Sequence, residues 1–227
     1  MANKNVLVVE SHNDNFFVER LIADMTSLRL QVSNPIFTID EYKCLTDGLS
    51  KAELVRKLKE LLTEIDKHLP DKIGIMVDAD DEGIDAKLNL INAALKEAGF
   101  CATLPSVSTW VHDAEQGIHV SCYVLHVDGH GDLETLLRRI QLEGTLFADC
   151  LESWRQCLQK NGKEIKQKDF DKFWVSVYQR FDQCSKKERQ QVERKCTDEV
   201  SMKKEPPIWN FEHAALAELK AYLGMFT

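Results

Sequence analysis

Short apolar runs alternate with longer stretches of helical spacing through the first two-thirds of the chain. Val6-Leu7-Val8-Val9 is brief, Val-rich and closed by Glu10, which predicts a buried strand. Ser11 or Asn13 can cap the helix that follows, because their side-chain oxygens accept from the free N–H groups of a first turn. Phe16, Phe17, Arg20, Leu21 and Met25 then share one mostly apolar face. Residues Pro35–Leu45 look irregular or weakly extended. Ser50–His68 predicts a helix, with Leu54, Leu58, Leu61, Leu62 and Ile65 at helical spacing and Pro70-Asp71 as its stop.

The pattern then repeats. Lys72–Val77 reads as a strand, Asp85–Ala98 as a helix with Leu88, Ile91, Leu95 and Ala98 inward, and Gly99 as its stop. Val120–Val127 is a third strand and Leu133–Ile140 a short helix. This alternation predicts an α/β domain with a mainly parallel sheet flanked by helices, over residues 1–143. From residue 144 to 227 only helices are expected: Leu146–Lys160, Lys168–Gln183, Lys186–Val200 and Glu212–Met225. Trp154, Phe170, Phe173, Trp174, Val177, Tyr178 and Phe181 are expected in their core rather than as a base-stacking platform. Glu205-Pro206-Pro207 marks a linker before the last helix.

Acidic residues close two of the strands. Glu10 ends the first, and Asp78, Asp80, Asp81 and Glu82 follow the second. Ligands of parallel α/β sheets gather at the carboxyl ends of the strands. Crowded carboxylates repel and raise one another's pKa, so such a cluster calls for a cation. Oxygen ligands suit Mg²⁺ or Mn²⁺. If the chain stays extended past Val77, Asp78 and Asp80 face the same side and could grip the ion together. Gly83 then lets the chain turn into the next helix. Solvation of a loop and helix capping would explain a lone D-x-D; the preceding apolar strand, the Gly turn and a separate strand ending in Glu favour a metal site over that reading.

The 227 residues carry a net charge of −8, which argues against a chain-wide nucleic-acid surface. The charge is uneven: residues 152–205 hold 14 Lys+Arg against 10 Asp+Glu, a net of +4. That part could face a polyanion, although surface solvation accounts for the same lysines. No apolar stretch reaches the roughly 20 residues that span a bilayer. The seven cysteines (Cys44, Cys101, Cys122, Cys150, Cys157, Cys184 and Cys196) are scattered and odd in number, as expected of idle thiols in a reducing cytoplasm. His126, Asp128 and His130 alternate at the end of the third strand, where ordinary loop polarity or a metal or proton-transfer role would fit.

Two segments resemble known motifs. Val6–Asp14, Val-Leu-Val-Val-Glu-Ser-His-Asn-Asp, resembles the first motif of TOPRIM domains, and Ile75–Gly83, Ile-Met-Val-Asp-Ala-Asp-Asp-Glu-Gly, resembles the second. The resemblance covers roughly residues 4–143. Gly131-Asp132-Leu133-Glu134 is similar to an element of stand-alone TOPRIM-like proteins distantly similar to overcoming-lysogenization-defect nucleases. The resemblance implies Mg²⁺- or Mn²⁺-dependent phosphodiester chemistry on nucleic acid. Glu10 would act as general acid/base or bind a second metal, and Asp78 and Asp80 would hold Mg²⁺. Glu134 would add a further carboxylate ligand, with Asp132 and Asp14 as lesser contributors. A homodimer and a partner ATPase are compatible with it; a membrane is not expected. Ser11 departs from the commoner Gly, and no basic motif directly follows the third strand, where Arg138 and Arg139 read as helix surface or as phosphoryl contacts. A non-catalytic binding or regulatory protein that keeps the fold, and a nucleotide phosphoesterase, are the alternatives.

Overall fold

The computed structural model describes residues 5–25, 28, 30–36, 49–65, 70–142, 144–190 and 196–227. Five strands form one sheet in the order β2-β1-β3-β5-β4. They are β1 (Asn5–Val8), β2 (Leu30–Val32), β3 (Lys72–Asp78), β4 (Val111–Asp113) and β5 (Ile118–Leu125). β1, β2, β3 and β5 run parallel, and only β4 pairs antiparallel, on β5. The expected α/β architecture is therefore present. The three-residue strands β2 and β4 are additions to the expected set. Much of the segment Pro35–Leu45, Cys44 included, lies outside the described residues, as does the end of the expected Ser50–His68 helix.

Alternating side chains divide the core into two layers. Val8, Ile73, Ile75, Val77, Val120, Cys122 and Val124 face one side, where α2 (Lys51–Ile65) and α3 (Ile84–Ala98) cover them with Leu54, Leu58, Ile91 and Leu95. Leu7, Met76, Tyr123 and Leu125 face the other. There α1 (His12–Ile22), α4 (Leu133–Ile140) and the C-terminal helices close over them. This second layer runs without a break across the boundary expected at residues 143 and 144.

The C-terminal region comprises α5 (Leu146–Lys160), α6 (Gln167–Val177), a π turn at Tyr178–Asp182, α7 (Lys186–Gln190), α8 (Asp198–Met202) and a 3₁₀ turn leading into α9 (Ala217–Gly224). Of the helix expected over 186–200, α7 covers Lys186–Gln190 and α8 starts afresh at Asp198 with Thr197 as its cap, while residues 191–195 lie outside the described residues. The expected linker at Glu205-Pro206-Pro207 leads at once into buried Ile208 and Trp209. Tyr178 Oη donates to the Ile208 carbonyl at 2.9 Å. α9 packs on the sheet, and Asn5 Nδ2 donates to the Phe226 carbonyl at 2.9 Å.

Phe170, Trp174 and Tyr178 are core residues, as expected. Trp154, Phe173 and Phe181 are not: they are 39%, 42% and 43% exposed. Their helices use the opposite face for packing, and α5 buries only Ala148 fully. A second correction concerns the thiols. Cys184 and Cys196 form a disulfide with their Cα atoms 6.2 Å apart. Their 12-residue separation carries no motif that marks the pair in the sequence.

Candidate metal and phosphate site

Three parallel strands end on the same edge of the sheet, and each delivers a carboxylate. Glu10 lies just past β1, Asp78 is the last residue of β3, and Asp132 and Glu134 stand at the start of α4, the helix that follows β5. The Asp78 amide donates to Glu10 Oε2 at 3.3 Å, which ties the first two strand ends together. Asp80 and Gly131 exchange backbone hydrogen bonds of 2.8 and 2.9 Å, which ties the second to the third.

Two of the acids have a double duty. Ser11 and Asp14 form a capping box at the start of α1, with Asp14 Oδ2 accepting from the Ser11 amide and hydroxyl at 2.7 Å. Asp132 caps α4 in the same way, its Oδ1 accepting from the Thr135 amide and hydroxyl at 3.0 Å. In both residues one oxygen completes a helix end and the other, Asp14 Oδ1 or Asp132 Oδ2, is buried without a hydrogen-bond partner. A buried carboxylate oxygen left so costs free energy unless a cation stands near it. Lys172 Nζ, 4.0 Å from Asp132 Oδ2, supplies part of that charge.

Electrostatics shows how closely the group is gathered. Burial raises the Asp78 carboxyl well above its ordinary value, and Asp14, Glu10, Asp132 and Glu134 push it further. Burial, then Asp14 and Asp80, lift Glu10 to about 7. Burial and Asp132 lift Glu134 to about 8. Asp14 and Asp132 are raised as well, again chiefly by burial. Asp78 and Glu134 nevertheless keep some access to solvent.

Asp80 departs from the expected arrangement. The strand ends at Asp78, and Asp80 takes a φ of 51° instead of staying extended. Its carboxylate turns to Lys87, at 2.7 Å, and to Lys168. Burial opposes the charge on Asp80, but the two lysines outweigh it and hold its pKa below the ordinary value. Asp80 and Asp78 are thus separated in role: one is neutralised by ammonium groups, the other sits among acids.

Lys87, Lys168 and Lys172 are the members that sequence reasoning missed. Lys87 is almost wholly buried and also pairs with Glu82 at 2.8 Å. Lys168 and Lys172 stand one turn apart on α6, a helix of the C-terminal region. Arg138 is not at the site; it pairs with Asp171 at 2.8 Å and with Glu152, and lies over the Phe170 and Trp174 rings. His126, Asp128 and His130 do not alternate along a strand either. Val127 and His130 close a tight turn, in which Asp128 has a φ of 53° and His126 Nδ1 accepts from the Gly129 amide at 3.3 Å.

The donor set is all hard oxygen, which suits Mg²⁺ or Mn²⁺ in chemistry. Among the described residues, no three His, Cys, Asp or Glu side chains form a closed coordination group. Ion binding at Asp78 and its neighbours therefore requires side-chain rotation toward a shared centre. No helix among the described residues is long and apolar enough to cross a membrane.

A family model described as "Protein of unknown function (DUF3226)" matches residues 4–226. No curated protein and no solved structure matches the chain.

Proposed function

This chain belongs to the DUF3226 family, and from the acidic cluster at its strand ends we propose a metal-dependent phosphodiesterase: a nuclease resembling TOPRIM enzymes. One observation carries the proposal. Carboxylates from three parallel strand ends meet at Asp78, and two capping aspartates each leave a buried oxygen unpartnered beside them.

The roles follow from position. Asp78 and Glu134, which keep solvent access, with the free oxygens of Asp14 and Asp132, would hold Mg²⁺ or Mn²⁺. A bound ion of this kind supplies positive charge to phosphoryl oxygens and lowers the pKa of water. Glu10, held by the Asp78 amide, would move a proton during attack or departure. Lys168 and Lys172 would meet the non-bridging phosphate oxygens once the ion has neutralised the acids. Asp80 would serve by fixing Lys87 and Lys168 rather than as a ligand. Coverage of the sheet edge by α6 fits a substrate lying between the two expected regions of the chain.

The engaged Asp80 carboxylate also favours a second reading, a binding protein that keeps the fold without chemistry. The two are separated by incubating single- and double-stranded DNA and RNA with wild type, Glu10→Gln and Asp78→Asn in Mg²⁺ or Mn²⁺. The nuclease reading expects cleavage by wild type and a loss of about 100-fold or more in each variant. Absence of both cleavage and calorimetric metal binding in wild type would sink it.

A further inference from the structure

Exposed rings stand on α5 and α6, and α6 also carries two lysines of the site. Trp154 and Phe173 pack edge to face with centroids 5.4 Å apart, and each keeps about two-fifths of its surface in solvent. Phe173 directly follows Lys172, whose ammonium reaches the acidic pocket at Asp132. A second ring pair, Phe147 and Phe181, has centroids 6.1 Å apart and exposures of 54% and 43%. Arg189 and Arg180 lie 5.6 and 6.0 Å from the Phe181 centroid. Single exposed rings are ordinary, but two packed ring pairs shared by α5, α6 and the π turn mark a binding surface.

Charge selects the partner. All of these cations, and three of the four rings, fall within residues 152–205, which carry a net charge of +4 in a chain of net −8. A second copy of this surface would meet like charge. A polyanion with flat apolar faces would meet complementary charge and four rings.

We infer that α5, α6 and the π turn form a platform for unpaired nucleotides of a single-stranded nucleic acid. The inference rests on the nucleic-acid reading above and names its substrate class. Lys168 and Lys172 take the backbone at the acidic pocket, and flanking bases stack on Phe173 and Trp154. Such stacking tolerates any base, because every base has a π face, while the backbone contacts make binding salt-dependent. A duplex keeps its bases stacked inside and cannot use the rings.

Binding without cleavage is the test. Fluorescence anisotropy in Mg²⁺, with phosphorothioate linkages that resist hydrolysis, compares labelled single-stranded DNA and RNA oligonucleotides with duplexes of equal length. The proteins are wild type, Trp154→Ala/Phe173→Ala and the conservative Trp154→Phe, with circular dichroism confirming fold and gel filtration reporting oligomeric state. The expected result is preference for single strands, a loss of roughly tenfold or more in the double variant, and near-complete retention in Trp154→Phe. Equal affinity of wild type and the double variant would overturn the platform. So would preference for duplex, no binding of any oligonucleotide, or conversion of a wild-type dimer to monomer without loss of oligonucleotide affinity. Stacking-dependent binding without cleavage of unmodified strands in Mg²⁺ or Mn²⁺ would overturn the nuclease reading and leave the platform standing.

Discussion

Asp80 and Gly131 pair through two backbone hydrogen bonds, Asp80 N to Gly131 O at 2.8 Å and Gly131 N to Asp80 O at 2.9 Å. This antiparallel bridge lies beyond the parallel β3–β5 ladder and ties the segment after Asp78 to the start of α4, where Asp132 stands. Gly131 has a φ of 95°, and a Cβ there would lie 2.9 Å from the Thr135 side chain, the partner of the Asp132 cap. Gly131→Ala is therefore expected to cost about 2 kcal/mol through backbone strain and loss of the cap. Metal affinity should fall with it. Urea midpoints and Mn²⁺ calorimetry measure both; an unchanged midpoint would mean that the bridge does not set the site.

Lys87 joins the site to the sheet. Its ammonium pairs with Asp80 at 2.7 Å and Glu82 at 2.8 Å, and the residue is 1% exposed. Breaking one side of a buried pair strands the other charge. Lys87→Met and Asp80→Asn should each destabilise by only about 1–3 kcal/mol, because Lys168 still faces Asp80 and Glu82 still faces Lys87. The double variant should lose at least about 1 kcal/mol less than the sum, because the contact the two side chains share can be lost only once. A double-mutant cycle by denaturant unfolding tests this, and strict additivity would deny the coupling.

At the opposite end of the sheet, Gly74 makes room for α9. A Cβ at this position would stand 2.5 Å from Phe226 Cζ and 2.6 Å from Tyr222 Oη. Both rings are fully buried, so neither can swing away freely. Gly74→Ala should cost about 1–3 kcal/mol by overpacking. Gly74→Ala/Phe226→Leu should recover part of it. Equal stability of Gly74→Ala and wild type in thermal unfolding would show that α9 yields easily.

Much of this arrangement is legible in the sequence. Glu10 and Asp78 each follow an apolar run, and strand ends in a parallel sheet must share an edge, whereas Glu134 is reached only through the resemblance. Ser11 as a cap is legible too, because its partner Asp14 is local. The strands β2 and β4 are not, since three residues carry no period. The turn of Asp80 away from Asp78 depends on its bridge to Gly131, a contact between distant segments. Lys87 left a readable trace, lying on the α3 stripe of Ile91, Ala94 and Ala98, where an inward lysine needs an acid. Lys168 and Lys172 left none: on α6 they look like solvated surface, and only tertiary packing brings that helix to the strand ends. Trp154 and Phe173 mislead for the converse reason, since ring hydrophobicity does not reveal which face of a helix is covered.

The crowded acids impose a pH dependence of definite sign. Glu10 is lifted from 4.5 to about 7, first by burial and then by Asp14 and Asp80, and Glu134 from 4.5 to about 8, first by burial and then by Asp132. Their protonated forms are therefore favoured in the fold, which holds protons that the unfolded chain has released. Their stabilisation is complete below about pH 4.5 and is lost as pH rises through about 7 to 8, by roughly 3 kcal/mol for Glu10 alone. Asp78 acts in the same direction. Asp80 acts oppositely, but its pKa is lowered from 3.8, so its contribution is already in place above that pH. Without divalent ions, the unfolding midpoint should fall between pH 5 and pH 8, and Asp78→Asn should reduce the fall by removing the most crowded charge. Mg²⁺ or Mn²⁺ should restore the midpoint at pH 8, and binding near pH 6.5 should release protons, seen as a calorimetric heat that varies with buffer ionisation enthalpy. A midpoint that stays flat in EDTA would show that these carboxylates do not repel as the structure implies, and heats independent of buffer would remove them as the ligands.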